Sequence, residues 1–267
     1  ASFGGRAAYI GRVKDDVLGN AFGHDLNSLG VHFSADLATE GDPTGRCMIV
    51  VTPDGERTMN TYLGASATLC ADHLDLDLIG SAKVTFLEGY LFDRDDAKHA
   101  FRTAAAAAHD AGRKVSLTLS DSFCVDRHRT DFRALVTDEV DLLFGNEHEL
   151  VSLYEVDTLE AAIEHVQRDC QLAVVTVGAR GCLVVTPDGV LHAPAEPVDR
   201  VLDTTGAGDL FAAGFLFAHM TGMKEAETLA FALHAAAAKH GQVGDASHAS
   251  AADVLALLSG GGLDVKR

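Results

Sequence analysis

The sequence has no excess of basic residues. Lysine plus arginine total 21 against 39 aspartate plus glutamate, a net charge of −18 over 267 residues. A nucleic-acid surface needs a basic stripe to displace counterions, so that class of partner is excluded. A small anionic ligand held by backbone N–H groups is not. No run of about 18 apolar residues occurs, so no membrane-spanning helix is expected. Nor does the chain open on a basic region followed by an apolar stretch, so no signal peptide is expected. The five cysteines (Cys47, Cys70, Cys124, Cys170, Cys182) form no C-x-x-C pair and are odd in number, the pattern of reduced thiols in a cytoplasmic protein. Thirteen histidines include no H-E-x-x-H. There is no G-x-x-x-x-G-K-[ST] phosphate loop and no G-x-G-x-x-G after the first apolar run, which argues against a P-loop kinase and a nicotinamide-dependent oxidoreductase.

What is present is enough for a folded core: 47% hydrophobic and 22% charged residues. Apolar runs alternate with helical stretches. Strands are expected over residues 7–13, 83–90, 114–119, 141–144 and 172–177, and helices over 16–29, 95–111, 129–137 and 158–169, with a further apolar helix following the glycine-rich first half of the 203–215 stretch and running through about Met220. This rhythm implies a mainly parallel sheet covered by helices on both faces, an α/β fold. Two segments break it. Residues 46–52 and 56–63 are extended runs joined by Pro53-Asp54-Gly55, a hairpin signal, and the segment of about 44–64 is expected to form a small β lid. A second hairpin is expected around Pro187-Asp188-Gly189. With no linker, repeat or charge block, residues 1–267 read as one domain with a lid.

The most informative stretch is Asp203-Thr204-Thr205-Gly206-Ala207-Gly208-Asp209, followed by an apolar helix. A glycine-rich turn feeding a helix N-terminus aims several N–H groups at one spot, where the helix dipole favours negative charge. A carboxylate there can take the proton of an attacking hydroxyl; alternatively Asp209 only caps the helix. The full stretch closely resembles the C-terminal motif of the ribokinase family, the PfkB-type carbohydrate kinases. The resemblance implies Asp209 as catalytic base and Gly206, Ala207 and Gly208 as an anion hole.

Further stretches fit the same family. Asn146-Glu147-His148-Glu149 resembles its Asn-x-x-Glu motif. That implies Asn146 near the phosphates of ATP and Glu149 organising Mg²⁺ through water; otherwise the pair is a helix cap with a surface Glu. Thr176-Val177-Gly178-Ala179-Arg180-Gly181 resembles the loop that lies against the nucleotide, implying contacts from Thr176, Gly178 and Gly181; a plain strand-to-hairpin turn is the alternative. Arg57 on the lid resembles a phosphate-contacting Arg, or is a solvated edge charge. Asp203 and Thr205 fall where the family suggests a monovalent cation such as K⁺.

The stretches Thr58–Ser66, Leu87-Glu88-Gly89-Tyr90-Leu91 and Leu119–Arg129 look like bacterial adenosine kinases, with Phe123 either an aromatic wall for a purine or a core Phe at a strand end. From about Phe231 onward, Lys239-His240-Gly241-Gln242-Val243-Gly244-Asp245 and Gly260-Gly261-Gly262-Leu263-Asp264 look more like 2-keto-3-deoxygluconate kinases. The opening Ala1-Ser2-Phe3-Gly4-Gly5 resembles the sequence just after the family's Gly-Gly-x-x-x-Asn acceptor motif. That places a first strand and acceptor-binding Asp, roughly 50–60 residues in all, upstream of this sequence.

The resemblance implies a ribokinase-like three-layer fold and Mg²⁺·ATP-dependent phosphorylation of a primary hydroxyl. The first acceptor to consider is the 5′-hydroxyl of adenosine. The alternatives are a sugar or 2-keto-3-deoxygluconate, or an ATP-binding fragment with impaired catalysis. A small-molecule acceptor is the expected partner. Lids pair across dimers in some members, which leaves a homodimer open.

Overall fold

A computed structural model describes residues 1–33, 37–53, 56–198 and 201–258. The chain begins with a short strand, β1 (Ala7–Ala8), then α1 (Val17–Ser28) and β2 (Val31–His32), which pairs parallel to β1. The expected strand over 7–13 is therefore only two residues of ladder, extended by an isolated bridge from Lys14 to Ala38. Asp16 begins α1 by accepting the Gly19 N–H (2.8 Å). The same carboxylate accepts the Thr44 N–H (2.9 Å) and hydroxyl (2.7 Å). One residue thus caps a helix and roots the lid.

The lid is an antiparallel hairpin of β3 (Arg46–Val51) and β4 (Arg57–Tyr62). The expected Asp54-Gly55 turn lies outside the described residues. At the base of the lid the two legs nearly touch. A Cβ on Gly64, whose φ is +54°, would meet Pro43 O at 2.2 Å, and one on Gly45 would meet Leu63 O at 2.5 Å. Only glycine permits that approach.

The main sheet follows a short helix α2 (Leu76–Ser81) and comprises β5 (Val84–Glu88), β6 (Lys114–Thr118), β7 (Leu142–Asn146), β8 (Leu172–Thr176), β9 (Cys182–Thr186) and β10 (Gly189–Ala193). Its order is β10-β9-β8-β7-β6-β5. Strands β5 to β8 are parallel, and the β9–β10 hairpin continues the sheet antiparallel. The second expected hairpin is thus part of the sheet.

Between strands run α3 (Asp95–Asp110), α4 (Ser122–Asp138), α5 (Glu147–Tyr154) and α6 (Leu159–Asp169). After the sheet come α7 (Ala207–Met220), α8 (Glu225–His240) and α9 (Ala251–Leu258). Successive strand residues point to opposite faces, and the core divides accordingly. Val115, Leu117, Leu143 and Val175 pack with Phe101, Phe132, Leu135 and Leu150 of α3–α5, and Val166 of α6 joins them. Leu142, Phe144, Val174 and Val184 pack with Phe211, Phe215 and Leu229 of α7 and α8. Gly214 lets α7 and α8 cross closely, because a Cβ there would stand 3.1 Å from that of Ala235.

Helix α4 begins at Ser122 rather than near Arg129, because Asp121 caps it by accepting the Cys124 N–H (2.6 Å). Phe123 is therefore in the first turn of a helix, and is 74% exposed. It is neither a core residue nor a strand end. Phe132, two turns on, is fully buried and stacked on Phe92 with ring centroids 4.5 Å apart. Phe132→Ala is expected to lower stability by about 3–5 kcal/mol in urea unfolding, whereas Phe123→Ala changes it by less than about 0.5 kcal/mol.

Candidate active site

The parallel strands end in a row. Register sets Glu88 of β5 opposite Thr118 of β6, and Asn146 of β7 opposite Thr176 of β8. The polar residues that follow the apolar strand interiors therefore emerge along one rim. In open α/β sheets, ligands bind in the crevice beyond these carboxyl ends.

The glycine-rich turn faces the rim from the α7 side. Buried Asp203 fixes it: Oδ1 accepts the Thr205 N–H and Oδ2 the Gly244 N–H, both at 2.9 Å. The Thr205 hydroxyl and N–H, then the Gly244 N–H, hold the Asp203 carboxyl down at about 2. That hydroxyl stands near enough to favour the charge but out of line for a well-formed hydrogen bond. Gly206 is left-handed (φ +76°), and a Cβ there would lie 2.6 Å from Asp245 O. This conformation starts α7, whose first-turn N–H groups have no acceptor within the helix. Of the three expected donors, Ala207 N–H already makes a long bond to Thr204 O (3.2 Å). Gly208 and Asp209 are open to the crevice. Protein around the crevice thins the water near Asp209 and pushes its carboxyl up; Arg57 pulls it back and Asp245 raises it further.

Arg57 reaches the turn from the lid. Its Nη1 donates to Thr204 Oγ1 at 2.5 Å, across 147 residues of sequence. Of its two expected alternatives, the edge charge pointing only to solvent does not hold.

Asn146 and Glu149 form a reciprocal cap on α5. Glu149 Oε2 accepts the Asn146 N–H (2.9 Å) and Oε1 its amide (2.6 Å), while Asn146 Oδ1 accepts the Glu149 N–H (2.9 Å). The expected cap is there, but its Glu is not on the surface: Glu149 is 6% exposed, and burial pushes its carboxyl up. In the loop after β8, Gly178 and Gly181 are both left-handed, and a Cβ on Gly181 would collide with Ala193 O at 2.0 Å. Arg180 is ion-paired to Glu147 at the start of α5, tying this loop to the cap.

Sequence reasoning missed part of the site. Glu88, at the end of β5, accepts the Ser120 hydroxyl (2.6 Å) and the Tyr90 N–H (3.1 Å). Ser120 is left-handed (φ +69°) without being glycine, the kind of strain that collects at functional sites. Tyr90 donates its hydroxyl to Ser120 O (3.3 Å). Burial raises the Glu88 carboxyl, and the charges of Asp209 and Asp121 raise it further. A carboxylate at the end of a parallel strand was the signal available for Glu88; the backbone of Ser120 gave none.

These residues fit a hydrated divalent cation. The charges of Asp209 and Asp121 raise the Glu88 carboxyl and that of Asp121 raises the Glu149 carboxyl, with Arg57 as a positive charge acting on Asp209. Among the described residues no three metal-ligating side chains converge.

A pfkB family carbohydrate kinase model matches residues 1–252. The chain belongs to the pfkB family of carbohydrate kinases. Adenosine kinase from Sinorhizobium meliloti is 44% identical with a TM-score of 0.93, covering 96% of this chain and 79% of that one. The ATP-dependent ribose-1-phosphate kinase of Halopiger xanaduensis is 32% identical over 255 residues, 95% of this chain and 80% of its own length. The Arabidopsis thaliana protein named "Probable fructokinase-3" is 31% identical over 223 residues, 80% of this chain; the chain spans 64% of its length. The ribokinase-like sheet and helices are those of the family's solved structures.

In this pfkB-family crevice the lid and the turn meet only at Arg57 among the described side-chain hydrogen bonds. Removing that charge takes away the larger of the two influences that lower the Asp209 carboxyl, leaving burial and Asp245, which raise it, opposed only by its own backbone N–H. Arg57→Met is therefore expected to move the acid limb of kcat/KM to higher pH, read from a pH–rate profile; an unmoved limb contradicts the contact.

Proposed function

We propose that the chain transfers the γ-phosphoryl group of ATP to a primary hydroxyl, with the 5′-hydroxyl of adenosine as acceptor. The observation that carries this reading is the Gly206–Asp209 turn, where open helix N-terminal N–H groups stand beside a carboxylate on the floor of the crevice. The acceptor assignment is supported by the 44% identity to an adenosine kinase over nearly the whole chain.

Asp209 is the base that takes the proton from the attacking hydroxyl. Its raised carboxyl brings its basicity closer to the task than an ordinary aspartate's. The N–H groups of residues 206–208 receive the charge that grows on the transferred group and the leaving phosphate. Asn146, Thr176, Gly178 and Gly181 line the nucleotide side. Glu149, locked by its cap, is the outer ligand of Mg²⁺, which when bound supplies charge neutralisation at the phosphates. Glu88 and Ser120 form the acceptor side, where a half-buried carboxylate selects hydroxyl donors. Arg57 closes the lid onto the turn and excludes water.

The decisive assay follows ADP release with ATP and adenosine, fructose, ribose or 2-keto-3-deoxygluconate. Release on adenosine alone supports the assignment. Release on a sugar or the keto-deoxy acid replaces the acceptor and keeps the reaction. ATP binding with no turnover on any acceptor favours a catalytically impaired fragment. Asp209→Asn is expected to lower kcat by at least about 10²-fold, the usual size of a general-base effect, while ATP binding persists; unchanged kcat removes Asp209 from that role.

A further inference from the structure

Lys239 is a lysine with no path to water. It lies in the last turn of α8 and is 0% exposed. An ammonium has three protons to place, and an unpaired charge in a protein interior is strongly unfavourable. Lys239 Nζ donates to Gln242 O at 3.0 Å, in the turn that follows its own helix. Its charge also acts on buried Asp203, and the carbonyl end of α8 favours a cation at this position.

The surroundings of Lys239 brace the phosphate turn. His240 O accepts the Leu202 N–H (2.8 Å). Gly244 N–H donates to Asp203 Oδ2 (2.9 Å). Asp245 O stands where a Cβ on Gly206 would collide. Residues 240–245 therefore wrap residues 202–206, and the ammonium sits inside the wrap. Lys239 Nζ holds the Gln242 carbonyl, two residues before the Gly244 N–H that Asp203 accepts. Both oxygens of Asp203 already hold N–H donors, and the Gln242 carbonyl holds the ammonium. A K⁺ ion added beside Asp203 and Thr205 would be a second buried positive charge acting on the same carboxylate, with repulsion and desolvation both opposing it. The residues do not fit a monovalent cation.

We propose that the Lys239 ammonium is the resident cation under the phosphate turn, positioning Asp203 and Gly206 so that this chain needs no added monovalent cation. Lys239 is a positioning residue. Its consequence for nucleotide binding rests on the kinase reading above; its consequence for the fold does not.

The test compares the intact chain in KCl, NaCl and tetramethylammonium chloride at equal ionic strength, reading the thermal unfolding midpoint and the Kd for MgATP. The expected result is one midpoint and one Kd in all three salts. A midpoint lowered, or a Kd weakened about tenfold, in tetramethylammonium overturns the proposal. Lys239→Ala is then expected to bind MgATP about tenfold more weakly and to recover with propylammonium, but not with the neutral propanol. A Lys239→Ala chain that binds like the parent, or that propanol restores equally, overturns it too. The midpoint needs no nucleotide, so it reports on Lys239 even if no ATP binds. Absence of ATP binding in every salt counts instead against the kinase reading.

Discussion

The candidate site depends on one buried carboxylate. Asp203 accepts an N–H from the residue two positions on and another from a residue 41 positions on. These bonds close the 203–208 turn from both sides and force Gly206 into the left-handed region, where only a residue without Cβ fits against Asp245 O. With the turn closed, α7 starts where its free N–H groups and Asp209 face the ends of β5 to β8. Every functional property argued above, from anion hole to base to lid contact, is a consequence of that placement.

The crevice is otherwise acidic. Glu88, Glu149 and Asp209 all have their carboxyls raised by burial or low hydration, and neighbouring carboxylates add to the effect. Such a cluster is stabilised when positive charge arrives, and a hydrated divalent cation carrying phosphates supplies it. The net charge of −18 is no obstacle to binding a polyphosphate here, because the proposed phosphate site consists of uncharged amides, the lid guanidinium and whatever cation the nucleotide brings.

Much of this was legible in the sequence, for physical reasons. The strands β6 to β8 are largely buried on both faces and read as short apolar runs; the Gly-x-Gly turn before α7 announced itself because left-handed backbone needs glycine. The Asp121 cap is harder to see, because Phe123-Cys124-Val125 follows the β6 run closely and reads as its apolar continuation; a core Phe at a strand end was therefore one of the two readings of Phe123. Asn146 and Glu149 were visible as a pair, but a three-residue spacing alone does not say whether the Glu is buried. Ser120 and Lys239 were out of reach: the serine with positive φ bonds a residue 32 positions away, and the lysine is buried where residues 240–245 pack against residues 202–206, neither of which a local pattern shows. The expected N-terminal strand is longer than the ladder, which pairs at Ala7 and Ala8, because mostly apolar residues continue through Val13.

The central claim is that the 206–208 amides are where phosphate binds. The most direct measurement is the backbone amide spectrum of ¹⁵N-labelled protein during titration with MgADP. The account predicts that the largest shifts fall on Gly206, Ala207, Gly208 and Asp209, followed by the Gly178–Gly181 loop. Shifts confined to other parts of the surface, with the 206–209 amides unmoved at saturation, would contradict it.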